Sequence, residues 1–308
     1  MFRGGVKIGH KLTVGEAVKA YVTWAKAEGK SIQREIPRYT RHMAPRFDAL
    51  YIESITPMML TSHKAELLES LSEQSVVHLF SFLRRCINFA INSKMYMGPN
   101  PASSNRNSMF RLKPADNASV RFFSPQEARA LLEHLEMRSQ SVHDMSLLSL
   151  KTGMRATEIF RLTGFDIDVE AELLHVHAKG GKRQTVHAPA DVMEMLLSYG
   201  RRGSEYIFQS RSGGKITNGI SKVFRRSVLD LGIDTPDSPP EMRVRFHAWR
   251  HTFASWLAQS GKVTLHEIKE LLRHEKIEMT LRYSHLLPGH QKESMKIIGD
   301  VLDDHPQA

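Results

Sequence analysis

The 308-residue sequence contains one cysteine, Cys86. A single thiol excludes an internal disulfide framework and a cysteine-based zinc site, and it fits a reducing interior such as the cytoplasm. No stretch approaches the roughly 20 consecutive apolar residues that span a bilayer. Residues 1–11 carry three cations but no apolar segment, so no secretory signal is expected there. There is no internal repeat, which argues against a solenoid. Acidic residues are the scarcer charge, 33 against 43 Lys and Arg, for a formal net charge of +10. The hydrophobic fraction of 41% and charged fraction of 25% are those of a folded chain, and the length suits about two domains. A basic balance without membrane features points to an anionic partner, with nucleic acid first.

The excess charge is concentrated. Residues 1–115 hold 17 Lys and Arg and 8 Asp and Glu, whereas the rest of the chain is nearly balanced, 26 against 25. The basic part reads as helical. Thr13 and Glu16 make a capping box, followed by Val14, Ala17, Val18, Tyr21, Trp24 and Ala25 at helical spacing. A second helix is predicted over Ile32 to Phe47, interrupted or shifted by Pro37. A third opens at Thr56-Pro57. The fourth carries Val76, Leu79, Phe80, Leu83, Ile87, Ala90 and Ile91 on one face. Gly98-Pro99-Asn100-Pro101 and the Ser/Asn-rich run to Asn117 then break the pattern. This divides the chain into a helical domain (1–98), a linker (99–118) and a second domain (119–308). The linker carries Arg106, Arg111 and Lys113, suited to lie along a phosphate backbone.

The second domain opens with Ser124-Pro125-Gln126-Glu127, which combines an N-cap, a helix-starting proline and a capping-box glutamate. A further helix runs to a break at Gly153. Leu173 to Ala178 and Gln184 to Ala188 flank Lys179-Gly180-Gly181-Lys182-Arg183, which reads as a basic β-hairpin. Helices are predicted around 190–199, 217–231, 247–259 and 264–273, then a helical stretch ending near Tyr283. A short amphipathic piece spans Met295 to Leu302.

Taken singly, the chemical residues are ordinary. Arg155 and Glu158, at i and i+3, make a common intrahelical pair. His247, Arg250 and His251 share one helix face. A cation between the histidines opposes a metal ion there, whereas arginine and histidine together suit a phosphate oxyanion. His251 alone reads as a core histidine, and His274 as a cation at a helix C-terminus.

In order, however, these segments resemble the tyrosine recombinase (phage integrase) family. The resemblance rests on Thr152-Gly153-Met154-Arg155-Ala156-Thr157-Glu158, the Lys179 hairpin, His247-Ala248-Trp249-Arg250-His251, Leu272-Arg273-His274 and Thr280-Leu281-Arg282-Tyr283-Ser284-His285. It is close over 124–286 and looser over 13–115. Trp249 stands where the family often has leucine, and Arg273 where it often has glycine. An additional N-terminal arm-DNA-binding domain, found in some integrases, is not evident.

The resemblance implies a mainly α fold with a small β-hairpin or sheet: a helical, SAM-like core-binding domain plus a catalytic domain, forming a C-shaped clamp around DNA. It implies a site-specific recombinase or integrase working through a 3′-phosphotyrosine and a Holliday junction, without ATP, metal or other cofactor. Tyr283 would be the nucleophile, with Arg155, Arg250 and His274 on the phosphate. His247 would act as acid–base for the tyrosine proton or help orient the tyrosine. Lys179 would be the general acid, with Lys182 as competitor. Glu158 and His251 would be supporting residues, and Lys182 and Arg183 would touch DNA. The partners implied are duplex DNA with a core site and a homotetramer on two sites. Met295, Ile298 and Leu302 would dock on a neighbouring protomer, and DNA-bending or directionality proteins are compatible. The setting implied is cytoplasmic and nucleoid-associated, bacterial or phage-borne, with a mobile element favoured over chromosome resolution. The alternatives are a type IB topoisomerase or telomere resolvase, and a DNA-binding protein without activity.

Overall fold

The computed structural model describes residues 11–103, 110–112, 121–177, 183–217, 219–220, 222–238 and 243–288. The chain forms two compact units, Met1–Asp116 and Asn117–Ala308. It is mainly helical, with a small antiparallel sheet among the described residues.

The first unit contains α1 (Val14–Ala27), α2 (Glu35–His42), α3 (Ala44–Phe47), α4 (Pro57–Leu68) and α5 (Glu73–Asn92). Local chemistry starts these helices as expected. Thr13 and Glu16 cap α1 reciprocally, and the Thr56 hydroxyl accepts from the Met59 N–H ahead of α4. The second expected helix is broken at Met43 rather than at Pro37. Pro37 lies in the first turn of α2, where the N–H it lacks has no intrahelical acceptor. The α5 face is the spine of the core. Val76, Leu79, Phe80, Leu83, Ile87 and Ala90 are buried, and each large side chain removed from water contributes about 1.5–3 kcal/mol. In the segment expected to link the domains, Ala102 and Phe110 are buried in this core, with Phe110 4.9 Å from the Phe80 ring. Lys64 Nζ donates to the Arg111 carbonyl at 2.8 Å.

The second unit runs through α6 (Pro125–Arg138), α7 (Gln140–Thr152), the single turn α8 (Ala156–Ile159), β1 (Ile167–Asp168), β2 (Leu173–His177), β3 (Arg183–His187), α9 (Ala190–Ser198), α10 (Lys222–Asp230), α11 (Ala248–Ser260) and α12 (Leu265–Leu272). The Ser124–Glu127 capping box starts α6. The expected hairpin is present as β2 and β3, with Leu174 opposite Val186. A short strand not foreseen, β1, adds to its edge through Ile167 and Asp168. The core joins α6, α7 and α9 to the inner face of the sheet and to α11. Trp249 is fully buried against Phe123, with ring centroids 4.4 Å apart. The Phe123 backbone also receives the Trp256 indole N–H and donates to Thr252. A tryptophan in place of the family's leucine thus fixes α11, which bears the chemical residues, to the opening of the unit. No helix among the described residues is long and apolar enough to cross a membrane.

Candidate active site

The site is assembled where α7, α11 and α12 end or begin. Gly153 closes α7 with φ +64°, and a Cβ there would lie 2.7 Å from the Phe253 ring, so both conformation and space require glycine. Its carbonyl is one of the orphan acceptors of a helix C-terminus, as is that of Leu272 at the end of α12. Arg250, 2% exposed, donates Nη1 to Gly153 and Nη2 to Leu272, each at 2.5 Å. The guanidinium is therefore held by the negative ends of two helices. Burial, then the charges of Arg155 and Arg273, pushes its pKa down to about 9, so it remains a cation at neutral pH.

Arg155 is the N-cap of α8. Its backbone N–H and its Nη1 donate to the two oxygens of Glu158 at 2.9 and 2.7 Å. The pair is more than a surface contact, because the Glu158 side chain is only 5% exposed. Glu158 Oε2 also accepts from Arg273 Nη2 at 2.8 Å. Burial acts to raise the Glu158 carboxyl, but Arg273 and Arg155 together outweigh it and hold the group below the usual carboxylate range. Sequence reasoning had flagged Arg273 only as a departure at a helix end. The structure makes it the second cation on Glu158. The missing signal was distance, since the partners are 115 residues apart.

His274 Nδ1 and the hydroxyl of buried Thr280 share a 2.9 Å hydrogen bond. Burial, then Arg250, Arg155, Arg282 and His247, pushes the imidazole down to about 3. Tyr283 lies on a 3-10 segment, Leu281–Leu286, with its ring packed among Ala254, Ala258, Ile268 and Leu272. It is 1% exposed, and burial pushes its phenol up to about 12 against the pull of Arg250 and Arg282.

His251 Nδ1 is 2.7 Å from the Tyr283 hydroxyl. The residue on the tyrosine is therefore His251, which the sequence had cast as a supporting group, and not His247. His247 stands beside it, with ring centroids 4.6 Å apart, and is itself exposed. The protein beneath His247, then Arg250, Arg155 and Arg282, lowers its pKa, and solvent on the open side weakens that effect. Arg282, exposed and adjacent to the tyrosine, bears on all three histidines, a role the sequence did not suggest.

Arg155, Arg250, His247, His274, Tyr283, Glu158 and His251 thus come together. Arg183 begins β3 and is exposed, and Arg111, also exposed, belongs to the first unit. Lys179, Lys182, Arg106, Lys113 and the tail residues Met295, Ile298 and Leu302 lie outside the described residues. No group of three or more His, Cys, Asp or Glu side chains arranged to hold a metal ion occurs among the described residues.

A chain that gathers two arginines and three histidines about one sheltered tyrosine, on this helical frame, belongs to the phage integrase family, whose profile matches residues 121–290. It is 27% identical to the integrase of Salmonella phage P22 over 193 residues, 60% of this chain and 49% of that protein. It is 26% identical to the tyrosine recombinase XerD of Staphylococcus epidermidis over 228 residues, 70% of this chain and 72% of that protein. The chain thus spans about half the length of the phage relative. In fold it is similar to the Tn1549 transposon integrase solved in complex with a circular-intermediate DNA, with a TM-score of 0.70 at 18% identity, covering 94% of this chain and 99% of that one.

Proposed function

We propose that this chain is a site-specific DNA recombinase that cuts and rejoins strands through a 3′-phosphotyrosine, integrating or excising a mobile element. The observation that carries the reading is the setting of Tyr283, a phenol hydroxyl hydrogen-bonded to an imidazole within a cluster of arginines and histidines. Tyr283 attacks the scissile phosphorus, and negative charge grows on the non-bridging oxygens. Arg155 and Arg250 answer that charge with planar donors. Both are held in advance, Arg155 by Glu158 and Arg250 by two helix-end carbonyls, so little reorganisation is needed as the charge develops. We assign the Thr280 hydroxyl as donor to Nδ1, the tautomer that leaves the proton of neutral His274 on Nε2 as a donor to the phosphate. His247, which the family resemblance casts as the tyrosine's acid–base partner or orienting group, adds a second imidazole beside His251.

The leaving 5′-oxygen takes a proton from Lys179, with Lys182 the competing donor. The phosphotyrosine conserves the bond energy, and attack by a 5′-hydroxyl from another duplex reseals the strand without ATP or metal. The substrate is duplex DNA with a core site. The basic N-terminal unit is the SAM-like core-binding domain, with Arg106, Arg111 and Lys113 on the backbone and Lys182 and Arg183 contacting from the hairpin. Exchange of two strand pairs through a Holliday junction requires four protomers on two sites, with Met295, Ile298 and Leu302 of each tail docking on a neighbour.

The test incubates the full chain with a pool of nicked duplexes of randomised core and recovers covalent protein–DNA adducts on denaturing gels. Wild type should give adducts enriched in one core sequence, and Tyr283→Phe should give none. Absence of any adduct from wild type would sink the proposal.

A further inference from the structure

The geometry points to His251 as a further catalytic residue, the group that accepts the Tyr283 proton as the tyrosine attacks phosphorus. This rests on the strand-transfer reading above and assigns a step that the sequence had given to His247. Three observations carry it. The first is distance: Nδ1 of His251 lies 2.7 Å from the phenol oxygen, within the range of a direct proton transfer. The second is seclusion. Tyr283 is 1% exposed among Ala254, Ala258, Ile268 and Leu272, so bulk water is a poor recipient for its proton. The third is mounting. His251 follows Arg250 on α11, and Arg250 is fixed to the ends of two other helices, so one rigid element carries both the phosphate donor and the base.

The charge state at rest agrees with this geometry. Burial, then His247, Arg282, Arg250 and His274, holds the His251 imidazole down to about 3, so it is neutral at working pH and can accept at Nδ1. The groups facing it are His247 and Arg250 from α11, Arg282 and Tyr283 from the 3-10 segment, and His274 after α12. Every charge among those is positive. A base so weakened cannot take the proton from a phenol held at about 12, and the tyrosine stays protonated while the site is empty. A docked phosphodiester adds negative charge among these cations and raises the basicity of the imidazole at the moment it is needed. In the step itself the tyrosine oxygen forms its bond to phosphorus while its proton passes to His251 Nδ1. The bond from phosphorus to the 5′-oxygen breaks, and that oxygen takes its proton from Lys179. Resealing runs in reverse, and the imidazolium of His251 returns the proton to the departing tyrosine.

The test uses single-turnover cleavage of the core duplex selected with the wild-type chain. His251→Asn keeps a hydrogen-bond acceptor near the Nδ1 position but cannot carry the proton, and His251→Gln serves if the first variant does not fold, as read by its urea midpoint. Cleavage is expected to slow by about 100-fold or more with DNA affinity unchanged. Between about pH 7 and 9 the variant's rate should then climb about tenfold per unit, as hydroxide replaces the missing base, while the wild-type profile is flatter. A wild-type rate in a folded variant overturns the assignment. So does a slowed variant whose pH profile parallels that of wild type, which would make His251 an orienting group only. If wild type itself yields no adduct, the strand-transfer reading falls first and takes this one with it, an outcome distinct from either result with the variants.

Discussion

Arg273 offers a measurable contest between backbone strain and a buried ion pair. It caps α12 at φ 56°, ψ 45°, the left-handed region where glycine is the ordinary occupant. A residue with a Cβ loses roughly 1 kcal/mol there. Against this, its Nη2 meets Glu158 Oε2 at 2.8 Å and its Nη1 donates to the Leu271 carbonyl at 3.0 Å, with both charged side chains 5% exposed. Breaking a buried pair typically costs about 3–5 kcal/mol. Two features reduce that here: Glu158 keeps Arg155 as a partner, and Arg273 Nε is buried without one. A loss of about 2–3 kcal/mol is the reasonable figure for the contact. Arg273→Gly, which also relieves the strain, should therefore destabilise by about 1–2 kcal/mol, and Arg273→Ala by about 2–3 kcal/mol. In a Glu158→Gln background the same glycine substitution should turn neutral or stabilising, because the ion pair is already gone and the strain is set only against the Leu271 contact. The assay is urea unfolding followed by Trp249 and Trp256 fluorescence in a Trp24→Phe chain. If Arg273→Gly alone is as stable as the parent, the contact is worth no more than the roughly 1 kcal/mol of strain it offsets, and the reasoning fails.

Two further outcomes follow from the same geometry. Thr280→Val removes the partner of His274 Nδ1 and should slow cleavage about tenfold with DNA affinity intact, while Thr280→Ser restores it; equal rates for all three would dismiss the contact. The DNA-free chain should also lose stability in mild acid. His251 and His274 have folded pKa values pushed down to about 3, whereas the unfolded groups protonate near 6.5. The unfolded state therefore binds more protons below pH 6.5, and each histidine removes up to about 1.4 kcal/mol per pH unit until the folded values are reached. The urea midpoint should fall between about pH 6.5 and 5, and a constant midpoint over that interval would contradict the burial of these rings.

What could be read in the sequence was what is local. The Thr13, Thr56 and Ser124 caps depend on partners three residues away, and each stands where the pattern placed it. The boxes around Arg155, Arg250 and Tyr283 were legible for the same reason. Strand β1 was not, because two residues cannot display alternation and owe their conformation to Leu173 and Leu174 across the sheet. The partners within the site were equally hidden. Arg250 reaches carbonyls 97 and 22 residues away, Arg273 meets Glu158 across 115, and His251 finds Tyr283 across 32. The resemblance pointed to His247 as the tyrosine's partner, whereas the imidazole on its hydroxyl is that of His251, on the same helix face. His247 and His251 differ by one turn, and only the path of the chain after α12 determines which of them the tyrosine meets.

Net charge was informative about one unit and silent about the other. The excess sits in the first 115 residues, while the rest of the chain is almost neutral. That neutrality conceals a local imbalance, because among the described residues Arg155, Arg250, Arg273 and Arg282 share their surroundings with three histidines and a single compensating carboxylate, Glu158. The protein meets the imbalance in two ways. It binds Arg155, Arg250 and Arg273 to fixed acceptors, namely helix-end carbonyls and Glu158. It keeps His251 and His274 unprotonated, which removes two charges that the site cannot accommodate. Both devices leave four guanidinium charges facing one carboxylate, so under the proposed function an arriving phosphate would gain attraction from every cation at once and would restore basicity to imidazoles held neutral without it. On the proposed reading, the same imbalance would keep the tyrosine inert until a phosphodiester is bound.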